Sequence, residues 1–402
     1  MRSTSTTDPR TPPADRLPLA ALLALATAVF VTSLTETLPA GVLPAMSADL
    51  AVSESAMGQS VTVYALGTAL TAIPLTAATA RWRRKRLLLA TVVAFALANT
   101  VTAASTDYLL TMAARFVAGV AAGLAWAMLA GYARRMVPDH LQGRAIAVVM
   151  AGIPVALSLG VPAGAFLGAV AGWRLTFGLM TALTVVLVVW ILALVPDQPG
   201  QEPGAGTPVG RTLAVPGVLP VLVVTLVFVL AHTILYTYVA AFLGHAGLDE
   251  AVDLVLLLFG AASLVSIWVV GAHIDRGPRT LVVGSVVLVA VAATALALLS
   301  DGAVPVYAAV VLWGLGWGGV PTLLQTAVAD AGGEAADTAQ SMLVTLWNVA
   351  MAGGGVAGGA LLAGLGPAAL PWTLPVLLAP VLVVVLAARV HGFPARRPGA
   401  GG

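Results

Sequence analysis

Charge interrupts this chain so rarely that its apolar stretches run to about 20 residues, the length a helix needs to cross hydrocarbon at about 1.5 Å per residue. Inside lipid every backbone N–H and C=O must be satisfied within its own segment, so such stretches fold as helices. About twelve spans are expected, at 18–43, 58–79, 87–105, 108–133, 145–169, 175–195, 215–242, 252–272, 280–299, 303–328, 340–364 and 370–390. Charged residues are 9% of the 402, against about 25% in soluble domains. They cannot cover a water-soluble surface. The fold class is therefore an all-α polytopic membrane protein.

The longest polar gap inside the chain, Asp197 to Thr212, is rich in Pro and Gly and reads as a flexible linker. It divides the chain into a tail (1–17), a six-helix half (18–196), the linker (197–212), a second six-helix half (213–390) and a final tail (391–402). Residues 1–17 lack the apolar core and cleavage site of a signal peptide and read as a disordered cytoplasmic tail. With the N-terminus inside and spans alternating, 17 of the 19 Lys+Arg fall on the inner side. Arg115 lies within a span and Arg174 on the outer side. The positive-inside bias thus predicts N-in/C-in.

A repeat shows at an offset of 195. Arg81 maps to Arg276, Gly119 to Gly314, Gly123 to Gly318, Gly160 to Gly355 and Gly164 to Gly359. Six helices per repeat make the halves parallel, related by an axis along the membrane normal.

These features carry a family resemblance. Gly271, Asp275, Arg276, Pro278 and Arg279 resemble the G-x-x-x-D-R-x-G-R-R-like signature between helices 8 and 9 of the major facilitator superfamily. The copy between helices 2 and 3 keeps Arg81, Arg84 and Lys85 but has Thr76 and Ala80 for the Gly and Asp. RFVAGVAAG, from Arg115, is similar to the family's helix 4 motif. The helix 5 stretch from Gly152 to Gly168 is similar to its antiporter signature, with Gly160-Val-Pro162 for the adjacent Gly-Pro. Together with TETLPAGVLPA, GWRLTF and ILYTYVAAFL, these motifs most resemble the twelve-helix drug/proton antiporters, in particular sugar-efflux, arabinose-efflux and chloramphenicol-resistance permeases. The resemblance implies a proton-coupled exporter gated by the two basic loops. It implies that helix 5, with Pro162 and with Gly160, Gly164 and Gly168 on one face, governs rocking through close contact with a C-half helix.

The residues themselves point to ion coupling at Glu36. A carboxylate in hydrocarbon is costly unless neutral, paired or wet. Pro39 cannot donate to the carbonyl of Thr35, which weakens the helix beside the acid. Counted from the outer ends, Glu36 and Arg115 both lie ~10 Å deep. An ion pair or a water-mediated link between them is expected. Burial favours the neutral acid and the guanidinium the charged one, the balance a proton-titrating site needs. The offset of 195 places Ala231, beside His232, opposite Glu36. Substrate-lining candidates are His232, Tyr236, Tyr64, Trp126, Trp313, Trp317 and Asn348, with Gln325: an aromatic wall with a few polar groups.

Other classes find little support. There are no cysteines, no P-loop and no metal-ligand cluster, and no cofactor is expected. Basic residues at the membrane face do not read as a nucleic-acid surface. A membrane-embedded enzyme would need a paired nucleophile and base. A receptor would call for a sizeable soluble domain. The expected partners are a small-molecule substrate, protons and the lipid bilayer, with the monomer as the functional unit. Arg outnumbers Lys 18 to 1, the usage of GC-rich bacteria, which suggests a bacterial plasma membrane. The residues leave transport direction open between efflux and uptake or facilitated diffusion; efflux comes from the resemblance.

Overall fold

A computed structural model describes residues 17–200, 207–248 and 251–395. Of the expected tails and linker, 1–16, 201–206 and 396–402 lie outside the described residues. Among the described residues every regular element is helical. In the first half these are α1 (Leu19–Gly41), α2 (Glu54–Ala78), α3 (Arg84–Ala104), α4 (Tyr108–Arg135), a broken α5 running from Gln142–Met150 to Val161–Ala171, and α6 (Trp173–Leu194). In the second they are α7 (Val218–Thr237), α8 (Val252–His273), α9 (Pro278–Leu298), α10 (Ala303–Trp317, resuming at Val320–Gly332), α11 (Ala336–Leu365) and α12 (Leu370–Ala387). Eleven stretches are long and apolar enough to span a membrane. One of them, Ala303–Leu365, is two helices reversing at Gly333, whose φ of +51° suits a residue without Cβ. The described spans therefore number twelve.

Local chemistry sets the breaks. The Ser53 hydroxyl accepts from Ala56 N–H at the start of α2, and the Asp107 carboxylate from Leu110 N–H at the start of α4. In α5, Val161 N–H reaches back to Ala156 C=O, a π-turn just before Pro162. A proline inside a helix removes one ladder hydrogen bond, and the wider turn absorbs the misfit.

The repeat is visible in packing. A Cβ on Gly119 would lie 2.1 Å from Tyr64 O, and one on Gly314 would lie 2.5 Å from Phe259 O. The Thr68 hydroxyl donates to Gly119 O at 2.9 Å, and Ser263 to Gly314 O at 3.4 Å. Gly119 and Gly314, Tyr64 and Phe259, and Thr68 and Ser263 are each 195 apart, so α2 crosses α4 as α8 crosses α10. Each half has its own apolar core, one around Leu25, Phe95 and Phe177, the other around Phe228, Val289 and Trp313.

Gly160, Gly164 and Gly168 do lie on a closely packed face, but their partner is α1 and not a C-half helix. Cβ atoms there would meet Phe30, Leu38 and Val42 at 3.1, 2.4 and 2.4 Å. The face of α5 towards the other half is a different one, where Gly271 of α8 approaches Ala147 and Gly260 approaches Ser158. The small-residue spacing marked a tight interface without saying which helix fills it.

Among the described residues, the ion pairs that cross between the halves gather at the end of the bundle bearing the Arg81–Arg86 loop, called here the basic end. They are Arg84 and Arg135 with Asp337, Arg134 with Asp330, and Arg144 with Asp275.

Candidate functional site

A cavity of about 260 Å³ lies between the halves. On the N-half it is walled by α1 (Ser33, Glu36, Thr37), α4 (Trp126) and α5 (Ile153, Leu157). On the C-half α7, α8, α10 and α11 contribute His232, Tyr236, Phe259, Trp317, Trp347 and Asn348. The carboxylate thus stands on one wall and the aromatic rings mostly on the other.

Glu36 is partly exposed to this cavity. Its carboxylate makes no hydrogen bond or ion pair with another described residue. Arg115 is close, but its guanidinium goes to the α1 backbone. Nη1 donates to Thr35 O at 2.6 Å, Nη2 to Glu36 O at 3.3 Å, and Nε to Ser60 O of α2 at 3.4 Å. The Thr35 carbonyl is the one Pro39 orphans, so Arg115 supplies the donor that proline lacks. The Tyr64 ring lies under the guanidinium, 4.8 Å from Cζ to centroid, and the Tyr64 hydroxyl donates to Thr32 O. Asn99 of α3 donates to the Thr35 hydroxyl. Three neighbouring helices therefore fasten α1 beside the acid. Charge-assisted hydrogen bonds to carbonyls let a buried cation persist without a carboxylate touching it.

On the facing wall His232 stacks on Trp317, with centroids 3.5 Å apart and planes 5° from parallel. Trp313 Nε1 donates to His232 Nδ1 at 3.2 Å, which leaves the ring hydrogen on Nε2. Tyr236 and Phe259 complete the cluster with His232, and Trp347 packs against Trp317.

The structure brings Trp126, His232, Tyr236, Trp317 and Asn348 to the cavity with Glu36. It places Tyr64 and Trp313 one layer behind: Tyr64 is held by Arg115 and α1, Trp313 by His232. Residue type gave aromatic candidates; helix rotation decided which of them face inward. Phe259 and Trp347 were missed. Phe259 is the repeat mate of Tyr64 at the offset of 195, a usable signal. Trp347 adjoins Asn348 in sequence.

Of the loop residues, Asp275 Oδ1 accepts from Gly143 N–H at 2.9 Å, at the start of α5. Gly271 permits that approach, since its Cβ would lie 2.9 Å from Ala147. Arg84 is buried against Asp337. Lys85 Nζ donates to Leu192 O, whereas Arg81 and Arg276 are exposed.

Two parallel helical repeats around one central cavity, closed at one end by ion pairs, define a two-half membrane carrier. The family model of the Major Facilitator Superfamily matches residues 25–355, and the chain belongs to that superfamily: it is a multi-pass transporter of the cell membrane, not an enzyme. It is 31% identical to a chloramphenicol efflux pump of Mycobacterium tuberculosis (strain H37Rv), over 85% of each chain. To the purine ribonucleoside efflux pump NepI of Escherichia coli (strain K12) it is 27% identical, over 91% of this chain and 92% of that one. Its fold is similar to that of the proton:xylose symporter XylE, with a TM-score of 0.77 at 13% identity over 93% and 96% of the two chains.

Proposed function

We propose that the chain is a proton-coupled exporter of small amphiphilic molecules, drug-like or sugar-like, working by alternating access with both termini in the cytoplasm. The basic end is then the cytoplasmic end, and the described conformation is closed on that side. Glu36 carries the proton, or the substrate's charge, or each in turn. Arg115 holds the α1 backbone around it. Substrate is held between Trp126 on one wall and the His232–Tyr236–Trp317 cluster with Asn348 on the other. The monomer, with its central cavity between two halves, is the working unit.

The observation that carries this reading is the Glu36 carboxylate itself: membrane-embedded, facing a cavity, and in no hydrogen bond or ion pair with another described residue. An ionisable group placed there is costly, and its retention marks an ion or substrate pathway. Export is supported by the two pumps named above, both efflux proteins by name.

The test is expression in a pump-deleted bacterial host. Wild type is expected to raise resistance to at least one compound of a panel that includes chloramphenicol. Acidifying the interior of everted vesicles is expected to drive substrate uptake, and Glu36→Gln to abolish that drive. Intact pH-driven transport in Glu36→Gln would refute the coupling role. No resistance to any compound would move the reading to sugar or metabolite transport.

A further inference from the structure

One donor on the cavity wall has its direction fixed from behind. An indole N–H can only donate. Trp313, 2% exposed, gives its own to His232 Nδ1 at 3.2 Å, so that nitrogen carries a lone pair and no hydrogen. The ring is therefore a neutral imidazole whose one hydrogen sits on Nε2. Stacking on Trp317 and on Tyr236, with planes 5° and 23° from parallel, holds the ring against rotation. The Nε2–H meets no acceptor among the described residues and opens on the cavity. The cavity offers further donors in the Tyr236 hydroxyl and the indole N–H groups of Trp126, Trp317 and Trp347. Of these five donors only that of His232 belongs to a buried residue, 7% exposed. Acceptors stand there too: Asn348 Oδ1, whose amide nitrogen is spent on Val344 O, and the Glu36 carboxylate on the facing wall. A buried donor left unmet is a cost that a matching acceptor removes.

We infer that His232 is a specificity-determining residue that donates through Nε2 to a neutral acceptor on the ligand, such as a nitro, sulfonyl or carbonyl oxygen or a ring nitrogen, and that Trp313 is the positioning residue that fixes this direction. The inference rests on the central cavity being the substrate site of the proposed exporter. The acceptor is neutral because a neutral imidazole brings no charge to hold an anion, and Glu36 lines the same cavity. The rings around His232 suit a flat ligand end, so the acceptor belongs on that end. A ligand without it leaves the Nε2–H unpaired. Discrimination of this kind is large, because a site built to bond one group rejects the analogue lacking it. Without the Trp313 N–H, either ring nitrogen of His232 can carry the hydrogen, and the donor is no longer guaranteed.

Two measurements on the purified chain in nanodiscs test this. The first is nitrogen NMR of the histidine-labelled chain, with the His232 signals assigned by their loss in His232→Phe. Wild type is expected to carry the hydrogen on Nε2, and Trp313→Phe to show both tautomers. The second is calorimetric binding of chloramphenicol, of thiamphenicol, and of the analogue with hydrogen in place of the nitro group. The first two carry a nitro or a methylsulfonyl acceptor on the ring; the third differs only in lacking it. Chloramphenicol and thiamphenicol are expected to bind, and the third compound about tenfold or more weaker. His232→Phe keeps a ring against Trp317 and is expected to bring the three within about twofold. His232→Gln, whose amide nitrogen can stand where Nε2 does, is expected to restore part of the gap, and Trp313→Phe to narrow it. A wild-type hydrogen on Nδ1, equal affinities across the three compounds, a full gap in folded His232→Phe, or no binding of chloramphenicol and thiamphenicol overturns the inference. The ligand series is measured on wild type and stays decisive if a variant misfolds. Binding requires neither a proton gradient nor export. A chain that discriminates as expected but does not pump therefore refutes the exporter reading and leaves the role of His232 standing.

Discussion

The basic end is closed twice, by two loops that the repeat makes equivalent, and the two closures use different chemistry. In the α8–α9 closure, Asp275 accepts from the backbone N–H of Gly143 at the start of α5, with Arg144 3.9 Å away. A carboxylate there is favoured by the orphan N–H groups and the positive end of the helix. The α2–α3 closure has Ala80 at the matching position, and its target helix is α11. There the acid has moved to the target: Asp337, in the first turn of α11, is held by Arg84 and Arg135. The place where the missing carboxylate would reach is a small cavity of about 180 Å³ beside Ala80, Thr76 and Thr338. Both loops keep one shared device, a basic side chain on the end of the sixth helix of its own half: Lys85 on Leu192 O, Arg279 on Leu386 O. Two halves can therefore conserve a contact between helices while exchanging which side supplies the charge.

The difference predicts unequal sensitivity. Arg84 and Asp337 are both buried, with side chains 5% and 8% exposed. Breaking a buried pair by removing one partner costs about 3–5 kcal/mol, since the other charge is left without compensation. Asp337→Asn should therefore open the basic end strongly. The natural chain has no cysteine, so maleimide labelling of Thr338→Cys, beside the small cavity, reads this directly and should rise sharply. Asp275→Asn should do much less. An asparagine oxygen still accepts from Gly143 N–H, so the loss is limited to the charged component, about 0.5–1 kcal/mol. Equal labelling in the two variants would break the comparison.

An intermediate effect comes from rebuilding the missing acid. In the Asp337→Asn background, Ala80→Asp places a carboxylate in the small cavity near Arg84 and should recover much of the lost closure, measured by the same labelling. In wild type, Ala80→Asp sets a second carboxylate near Asp337 and should weaken closure modestly. Recovery no better than with Ala80→Asn would show that space rather than charge matters at this position.

Element number and register were legible in the sequence because lipid permits so little: apolar length fixes helix length, and expected and observed spans agree to within a few residues. The repeat was legible from glycines because close backbone approach leaves no alternative residue. What the sequence did not carry was rotation about each helix axis. In a bundle apolar on all sides, a stripe of hydrophobic residues does not mark the inward face. Hence Tyr64 and Trp313 fell behind the wall, while Phe259 and Trp347 on it went unnoticed. Arg115 is the instructive case. Depth placed it level with Glu36, but Pro39 also orphans the Thr35 carbonyl, and it is that carbonyl which takes the guanidinium.

The smallest predicted effect concerns the linker, whose described residues fasten the α2–α3 loop and not the α8–α9 loop. Asp197 accepts from Arg83 Nε and Lys85 N–H, Gln198 O accepts from Arg84 N–H, and Gly200 sits against the Arg81 backbone. Partial loss of water pushes the Asp197 carboxyl up, but the hydrogen bonds from Arg83 and Lys85 outweigh it and hold the group below its usual range. With the folded value depressed, the stabilisation is fully present above the ordinary carboxylate value of about 4 and is lost as pH falls through the folded value. The pair is largely exposed, so its worth is at most about 1 kcal/mol. A nitroxide on Gln198→Cys should gain a mobile component only below about pH 4, while Asp197→Asn should show that component at every pH. A label on Arg276→Cys, in the α8–α9 loop that no described linker residue fastens, should show no step from this carboxylate. A matching acid transition there would mean that the two loops loosen together and that the linker contributes nothing particular to the α2–α3 side.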